Sequence, residues 1–154
     1  MFRSGNWQQA KTTDPAAIAL FSRHYSSDER KAGKWKRYGF AGTGETLALM
    51  TPEQDALFVW RREKYRSDGQ GGVECSVFRN ESLHRSSDLI IEAMTIAQQR
   101  WPGQRLFTFV DASKVASRNP GYCFKCAGWQ RAGVSGKGLV ILEIEAQQES
   151  KEAA

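Results

Sequence analysis

The chain has no long apolar run. Its apolar runs, such as residues 106–110 and 139–144, fall far short of the ~20 residues a membrane-spanning helix needs. The first residues also lack the apolar core of a signal peptide, so residence in a cytoplasm is the expectation. Cysteine is scarce and odd in number, with three residues, and Cys123 and Cys126 sit one helical turn apart. That spacing argues against a disulfide framework and fits a reducing compartment. A redox-active Cys-x-x-Cys pair would need an exposed turn at a helix start in a thioredoxin-like βαβ pattern, so the thiols read as buried structural groups. Repeats and low-complexity tracts are also lacking, which excludes solenoids and collagen-like or mucin-like chains.

What is present is ordinary globular composition. Of 154 residues, 40% are hydrophobic and 25% charged, enough for one domain over residues 1–146, with a frayed acidic tail over 147–154. The net charge of +5 is unevenly spread: residues 140–154 sum to −3 and the remainder carries +8. Arg30, Lys31, Lys34, Lys36 and Arg37 form one basic stretch, and Arg61, Arg62, Lys64 and Arg66 another. Such runs suit a polyanion, although solvated loops and strand ends account for them equally simply.

Asp14-Pro15 reads as a helix start, with Ile18, Phe21 and Tyr25 at helical spacing, predicting a helix over 15–25. Residues 28–36 read as a loop or a short second helix. Residues 45–50 and 56–62 read as a hairpin, followed by a glycine-rich link and a strand over 73–78 that places Val73, Cys75 and Val77 on one face. A polar loop over 79–86, a helix over 87–100 and an apolar strand over 105–110 complete a βαβ unit, whose right-handed crossover makes its two strands parallel. A short helix over 121–127, opened by Asn119-Pro120 and closed by Gly128, and a last strand over 139–144 follow. The fold class is therefore α/β: one mixed sheet flanked by helices.

In open α/β sheets ligands bind beyond the carboxyl ends of parallel strands. That rule selects Arg79, Asn80 and Glu81 after the first strand, Asp111 after the second, and the helix starts at Ser86-Ser87 and at Asn119 to Tyr122. Ser86 and Ser87 suit an anion by their backbone N–H groups, or simply cap their helix. Asp111 is either a functional carboxylate or a turn residue bonding its own backbone. His24 ends the first helix, where a histidine also complements the dipole, and His84 lies over the predicted cleft.

The strand, loop, helix, strand, short helix, strand order resembles the GCN5-related N-acetyltransferase (GNAT) fold, with its splayed pair of parallel central strands. Residues 119–129 look like its late motif ending in Tyr-x-x-x-Gly-Phe. The family's pyrophosphate loop carries two glycines before its helix; this chain reads Ser82-Leu83-His84-Arg85-Ser86-Ser87. His24-Tyr25-Ser26, Phe78-Arg79-Asn80-Glu81, Ser86-Ser87, Val110-Asp111 and Asn119 to Phe124 also resemble, in order, the phage Mom-type DNA-modification family. That resemblance implies a transferase in a host cytoplasm that carbamoylmethylates adenine N6 in DNA and so blocks restriction. It implies His24, Tyr25, Asp111 and Tyr122 as catalytic residues, and Arg79, Ser86 and Ser87 as cofactor contacts. DNA would be the partner, held by Lys34, Lys36, Arg37, Arg61 and Arg62, with Trp35, Tyr38 or Trp60 stacking on an extruded base. It also offers iron as a cofactor with His24, Asp111 and Tyr122 as ligands, although one histidine and one carboxylate fall short of a facial triad. Two alternatives stand beside it: an acetyl-CoA-dependent acyltransferase acting on a small amine or protein, and a non-catalytic DNA-binding antirestriction protein.

Overall fold

The computed structural model describes residues 2–24, 27–114 and 119–146. Eight strands form one sheet: β1 (Arg3–Ser4), β2 (Trp7–Ala10), β3 (Glu45–Met50), β4 (Ala56–Arg62), β5 (Val73–Asn80), β6 (Leu106–Val110), β7 (Gln130–Val134) and β8 (Val140–Ile144). Their order is β1-β2-β3-β4-β5-β6-β8-β7, antiparallel throughout except where β5 lies parallel to β6. Helices α1 (Pro15–Ser22) and α2 (Ala32–Tyr38) cover one face, and α3 (Ser86–Arg100) and α4 (Tyr122–Cys126) the other.

Alternation along the strands divides the core between the faces. In β4, Ala56, Phe58 and Trp60 join Leu89, Ala93 and Ala97 of α3, while Leu57 and Val59 join Ala17, Leu20 and Phe21 of α1 and Trp35 of α2. Trp60 is fully buried and donates its indole N–H to the Ala93 carbonyl at 3.0 Å, so its polar edge is satisfied as its ring is buried. Trp7 does the same toward the Leu89 carbonyl at 2.9 Å, fastening β2 to α3. Truncating either ring to alanine would cost about 3–5 kcal/mol. Trp35 and Trp60 are thus core residues rather than base-stacking platforms; Tyr38, 72% exposed, is the one of the three at the surface.

Several local expectations change. Helix α1 stops at Ser22 rather than near residue 25, because its last turn tightens: Arg23 N–H bonds Leu20 O and His24 N–H bonds Phe21 O. Arg85, not Ser86 or Ser87, is the N-cap of α3, and no side chain caps it. Helix α4 begins at Tyr122, after Gly121 in a left-handed conformation with φ +76°. An added Cβ at Gly121 would stand 2.3 Å from Leu142 Cδ1, which explains the glycine. Strands β1, β2 and β7 add to the expected set. Of the thiols, Cys75 is buried, Cys123 half-buried and Cys126 exposed, so the structural reading applies fully only to Cys75.

One departure shapes the molecule. In the β4–β5 ladder Val59 faces Val77 but Trp60 faces Cys75, so Ser76 is an extra residue in a β-bulge. Downstream of it the alternation inverts. Val73 and Cys75 face α3, Val77 faces α1, and the expected single row of three is broken.

Candidate active-site cleft

The bulge sets up the cleft. The parallel β5–β6 ladder comprises Val73↔Leu106, Glu74↔Phe107 and Cys75↔Thr108, and Thr108 Oγ1 donates to the Cys75 carbonyl at 2.8 Å at its last rung. Beyond this, β5 continues against β4 as far as Asn80, while Phe109 and Val110 of β6 continue against β8. Each strand follows its outer neighbour and the two splay apart. Among the described residues no strand pairs with the β6-facing edge of β5 past Cys75, so its backbone groups there face a cleft. The cleft, about 160 Å³, is lined by His24, Cys75, Ser76, Val77, Phe78, Thr108, Phe109, Val110, Gly121, Cys123 and Phe124.

Next to it lies a groove of about 540 Å³ at the start of α3, lined by Arg85, Ser86, Ser87, Asp88, Ile91, Tyr122, Cys123 and Cys126. Cys123 lines both spaces. Ser86 and Ser87 open the helix, so their N–H groups have no intrahelical acceptor and point outward with the positive end of the helix dipole. The preceding loop owes its shape to Asn80. Its Nδ2 donates to His84 O at 2.8 Å and to Ser86 Oγ at 3.0 Å, and its Oδ1 accepts the Ser82 N–H at 2.9 Å and hydroxyl at 2.5 Å. An asparagine knot thus takes the place of the two glycines.

His24 reaches the cleft from just beyond α1. Burial, followed by the positive charge of Arg79, lowers its pKa from 6.5 to about 4, so the imidazole is neutral at pH 7. Glu81, near the end of β5, accepts hydrogen bonds from Arg23 and then Arg79, which hold its pKa near 2 and leave it a permanent anion. Arg79 points to the α1 side of the sheet, away from the α3 groove expected of a cofactor contact: its Nη1 donates to Arg23 O at 2.7 Å, and its register partner Leu57 packs with α1. Tyr25 lies outside the described residues.

Asp111 and Tyr122 do not meet His24. The Asp111 carboxylate turns back to accept the Ser113 hydroxyl at 2.6 Å and N–H at 3.1 Å, a local turn whose bonds, the hydroxyl first, lower its pKa. Tyr122 is 61% exposed and faces the α3 groove, and its phenol is hydrogen-bonded to Cys126, which raises its pKa. That opposes a phenolate. The tyrosine position of the late motif, four residues before Gly128, is held by Phe124, which is buried against Trp129 at 4.8 Å between ring centres. Among the described residues no group of three or more His, Cys, Asp or Glu side chains is placed to hold a metal ion, and the three candidate iron ligands face three different surroundings. The residues present do not fit an iron centre built from them.

The basic stretches also separate. Lys34, Lys36 and Arg37 of α2 are exposed. Arg61 is committed inward: Nε donates to Thr43 O at 2.6 Å, Nη2 to Glu63 at 2.6 Å, and Nη1 lies 3.7 Å from Glu74. Arg62 stands across the ladder from Glu45, on the opposite face from Arg61. Arg66, paired with Asp68 and Glu74, lies over the Phe107 ring. Sequence reasoning passed over Arg23 and Cys123 as contributors to the site; it selected Asn80 and Glu81 with Arg79 by their place at a strand end, without the bonds they make.

No protein-family model and no curated protein sequence matches the chain. Solved structures do. A histone acetyltransferase HPA2 and related acetyltransferase from Corynebacterium glutamicum superposes with a TM-score of 0.57 over 96% of this chain and 99% of that one, at 10% identity. A putative GnaT-family acetyltransferase from Bordetella pertussis does so with a TM-score of 0.51 over 92% and 97%, at 15% identity. The bulged β5, its splay from β6 and the helix start beside them therefore belong to a single-domain α/β fold of the GNAT acetyltransferase type.

Proposed function

We propose that the chain is an N-acyltransferase that takes an acyl group from a coenzyme A thioester and passes it to an amine. The observation that carries this reading is the splay beyond Cys75 and Thr108, which opens the apolar cleft beside the groove at the helix start of α3, with Cys123 lining both. The unpaired edge of β5 suits an extended amide-bearing arm, which can complete the ladder that β6 abandons. The N–H groups of Ser86 and Ser87, with Arg85, suit the donor's phosphates. In the transfer a C–N bond forms at the thioester carbonyl as the C–S bond breaks. Neutral His24 accepts the proton released by the amine. With Phe124 at the motif's tyrosine position, no phenol from that position protonates the departing thiolate.

Calorimetric titration with acetyl-CoA tests this. Saturable one-to-one binding that also raises the melting temperature is expected. Heat that fails to saturate by about 1 mM, a free energy of only about −4 kcal/mol, would remove the donor from the reading.

A second reading, in which the acceptor is the N6 amino group of adenine in DNA, is favoured by one observation. Lys34, Lys36, Arg37 and the 72% exposed Tyr38 lie on α2, on the same side of the sheet as α1 and His24. Mass spectrometry of nucleosides from DNA of cells expressing the protein decides it, since a modified adenine must appear with the wild type and vanish with His24→Ala.

A further inference from the structure

We propose that Arg79, Glu81 and Arg23 form a positioning clasp that holds His24 at the cleft; the inference rests on the reading of His24 as the proton acceptor. The peptide unit joining Arg23 to His24 is held at both ends. Its carbonyl oxygen accepts Arg79 Nη1 at 2.7 Å, and its N–H donates to Phe21 O at 2.9 Å. A peptide unit is planar, so fixing both its oxygen and its N–H fixes the plane from which the His24 side chain departs. Only the His24 φ and two side-chain torsions then separate the imidazole from the rigid end of β5.

Glu81 completes the device. Its Oε2 accepts Arg79 Nε at 2.7 Å and Arg23 Nε at 2.7 Å, and its Oε1 accepts Arg23 Nη2 at 2.9 Å, so one carboxylate aligns both guanidinium groups. Its own backbone is anchored, since Glu81 N–H bonds Asp55 O at 2.8 Å in the β3–β4 turn. Chain ends from α1, β5 and the hairpin therefore meet at one point. Among the described residues, the titratable groups around His24 include Arg79 from β5 and, lining the cleft, the Cys75 and Cys123 thiols. The arginine side chains are 48% and 35% exposed, and ion pairs so exposed add little to stability. The clasp's effect therefore falls on geometry, where a misplacement of about 1 Å can lower a rate about a hundredfold.

The test uses the whole chain with Arg79→Lys and Glu81→Gln. Lysine keeps the charge but replaces the rigid fork of Nε and Nη1 by a single nitrogen, and glutamine removes the carboxylate charge and sets an amide N–H2 donor where Oε1 accepts from Arg23 Nη2. With acetyl-CoA and spermidine as probes, both variants should lower kcat at least about tenfold with the KM for acetyl-CoA within about twofold, and neither should lower it further in a His24→Ala background. Losses that add to that of His24→Ala would overturn the clasp as a device acting through His24. An independent arm is nitrogen-15 NMR of histidine-labelled protein carrying His84→Gln, which leaves His24 as the single imidazole. The ring signals should shift and broaden in both clasp variants at unchanged melting temperature; signals identical to the parent's would also overturn it. Wild-type protein without turnover would sink the transferase reading alone, and the NMR arm would still decide the clasp.

Discussion

At the scale of single residues, His24 is the group whose environment has most to say about pH. Its folded pKa is depressed to about 4 while the unfolded chain titrates near 6.5, so between these values the unfolded state binds a proton that the folded state does not. Stability attributable to His24 is therefore complete above about pH 6.5 and is lost as pH falls toward 4, up to about 3 kcal/mol. Thermal melts of wild type and His24→Gln from pH 7.5 to 4 check this: the wild-type curve should fall more steeply, and parallel curves would mean that the imidazole is solvated. Gly121 carries a second residue-scale prediction. Its φ of +76° and the 2.3 Å approach of Leu142 Cδ1 to an added Cβ combine backbone strain with overpacking. Gly121→Ala should lose about 2–4 kcal/mol in urea unfolding. A loss below about 1 kcal/mol would show that α4 shifts without cost.

At the scale of elements, the loop between β5 and α3 depends on one side chain. Asn80 makes four hydrogen bonds that hold the loop over 80–86, and the adjoining Ser86 and Ser87 N–H groups stand where the donor's phosphates are proposed to bind. Asn80→Ala should cost about 1–2 kcal/mol of stability and weaken acetyl-CoA binding about tenfold. Calorimetry on the folded variant measures the second effect; unchanged affinity would detach the loop from the donor site. The helix start itself was legible from the run Ser86-Ser87 and from apolar spacing along residues 89–97. The asparagine knot was not, because its bonds depend on loop geometry that spacing does not reveal. The same holds for the Ser76 bulge: alternation predicts Val73, Cys75 and Val77 on one face, and the extra residue shows only in the pairing with β4.

At the scale of the whole molecule, charge separates what is available to a partner from what holds the fold. Lys34, Lys36 and Arg37 are exposed, whereas Arg61 is spent on Thr43, Glu63 and Glu74. If the molecule binds a polyanion, alanine at all three α2 positions should flatten the dependence of log affinity on log salt by about two to three units on duplex DNA. Arg61→Ala should leave that slope alone and lower the melting temperature. A retention profile on a DNA column that responds to Arg61→Ala and ignores the triple variant would reverse this assignment of the basic surface.

The sequence by itself determined the class of the fold and the direction of the chemistry's address. Apolar periodicity, helix starts and the doubly apolar strand at residues 106–110 are local signals, and the right-handed crossover turns them into a parallel pair whose carboxyl ends must host the site. Those signals led to Ser86, which the fold places at the groove, but also to Asp111 and Tyr122, which lie at the named ends and turn elsewhere; His24, which lines the cleft, was singled out by the family resemblance and not by these signals. Where a side chain points after a strand or in a helix's first turn depends on what it can bond: Asp111 finds Ser113, and Tyr122 finds Cys126. Only the tertiary structure decided these matters, along with the neutrality of His24, the inward commitment of Arg61 and the meeting of Arg23, Arg79 and Glu81. Each depends on burial or on partners distant in sequence, and a linear pattern carries no information about either until the sheet has closed.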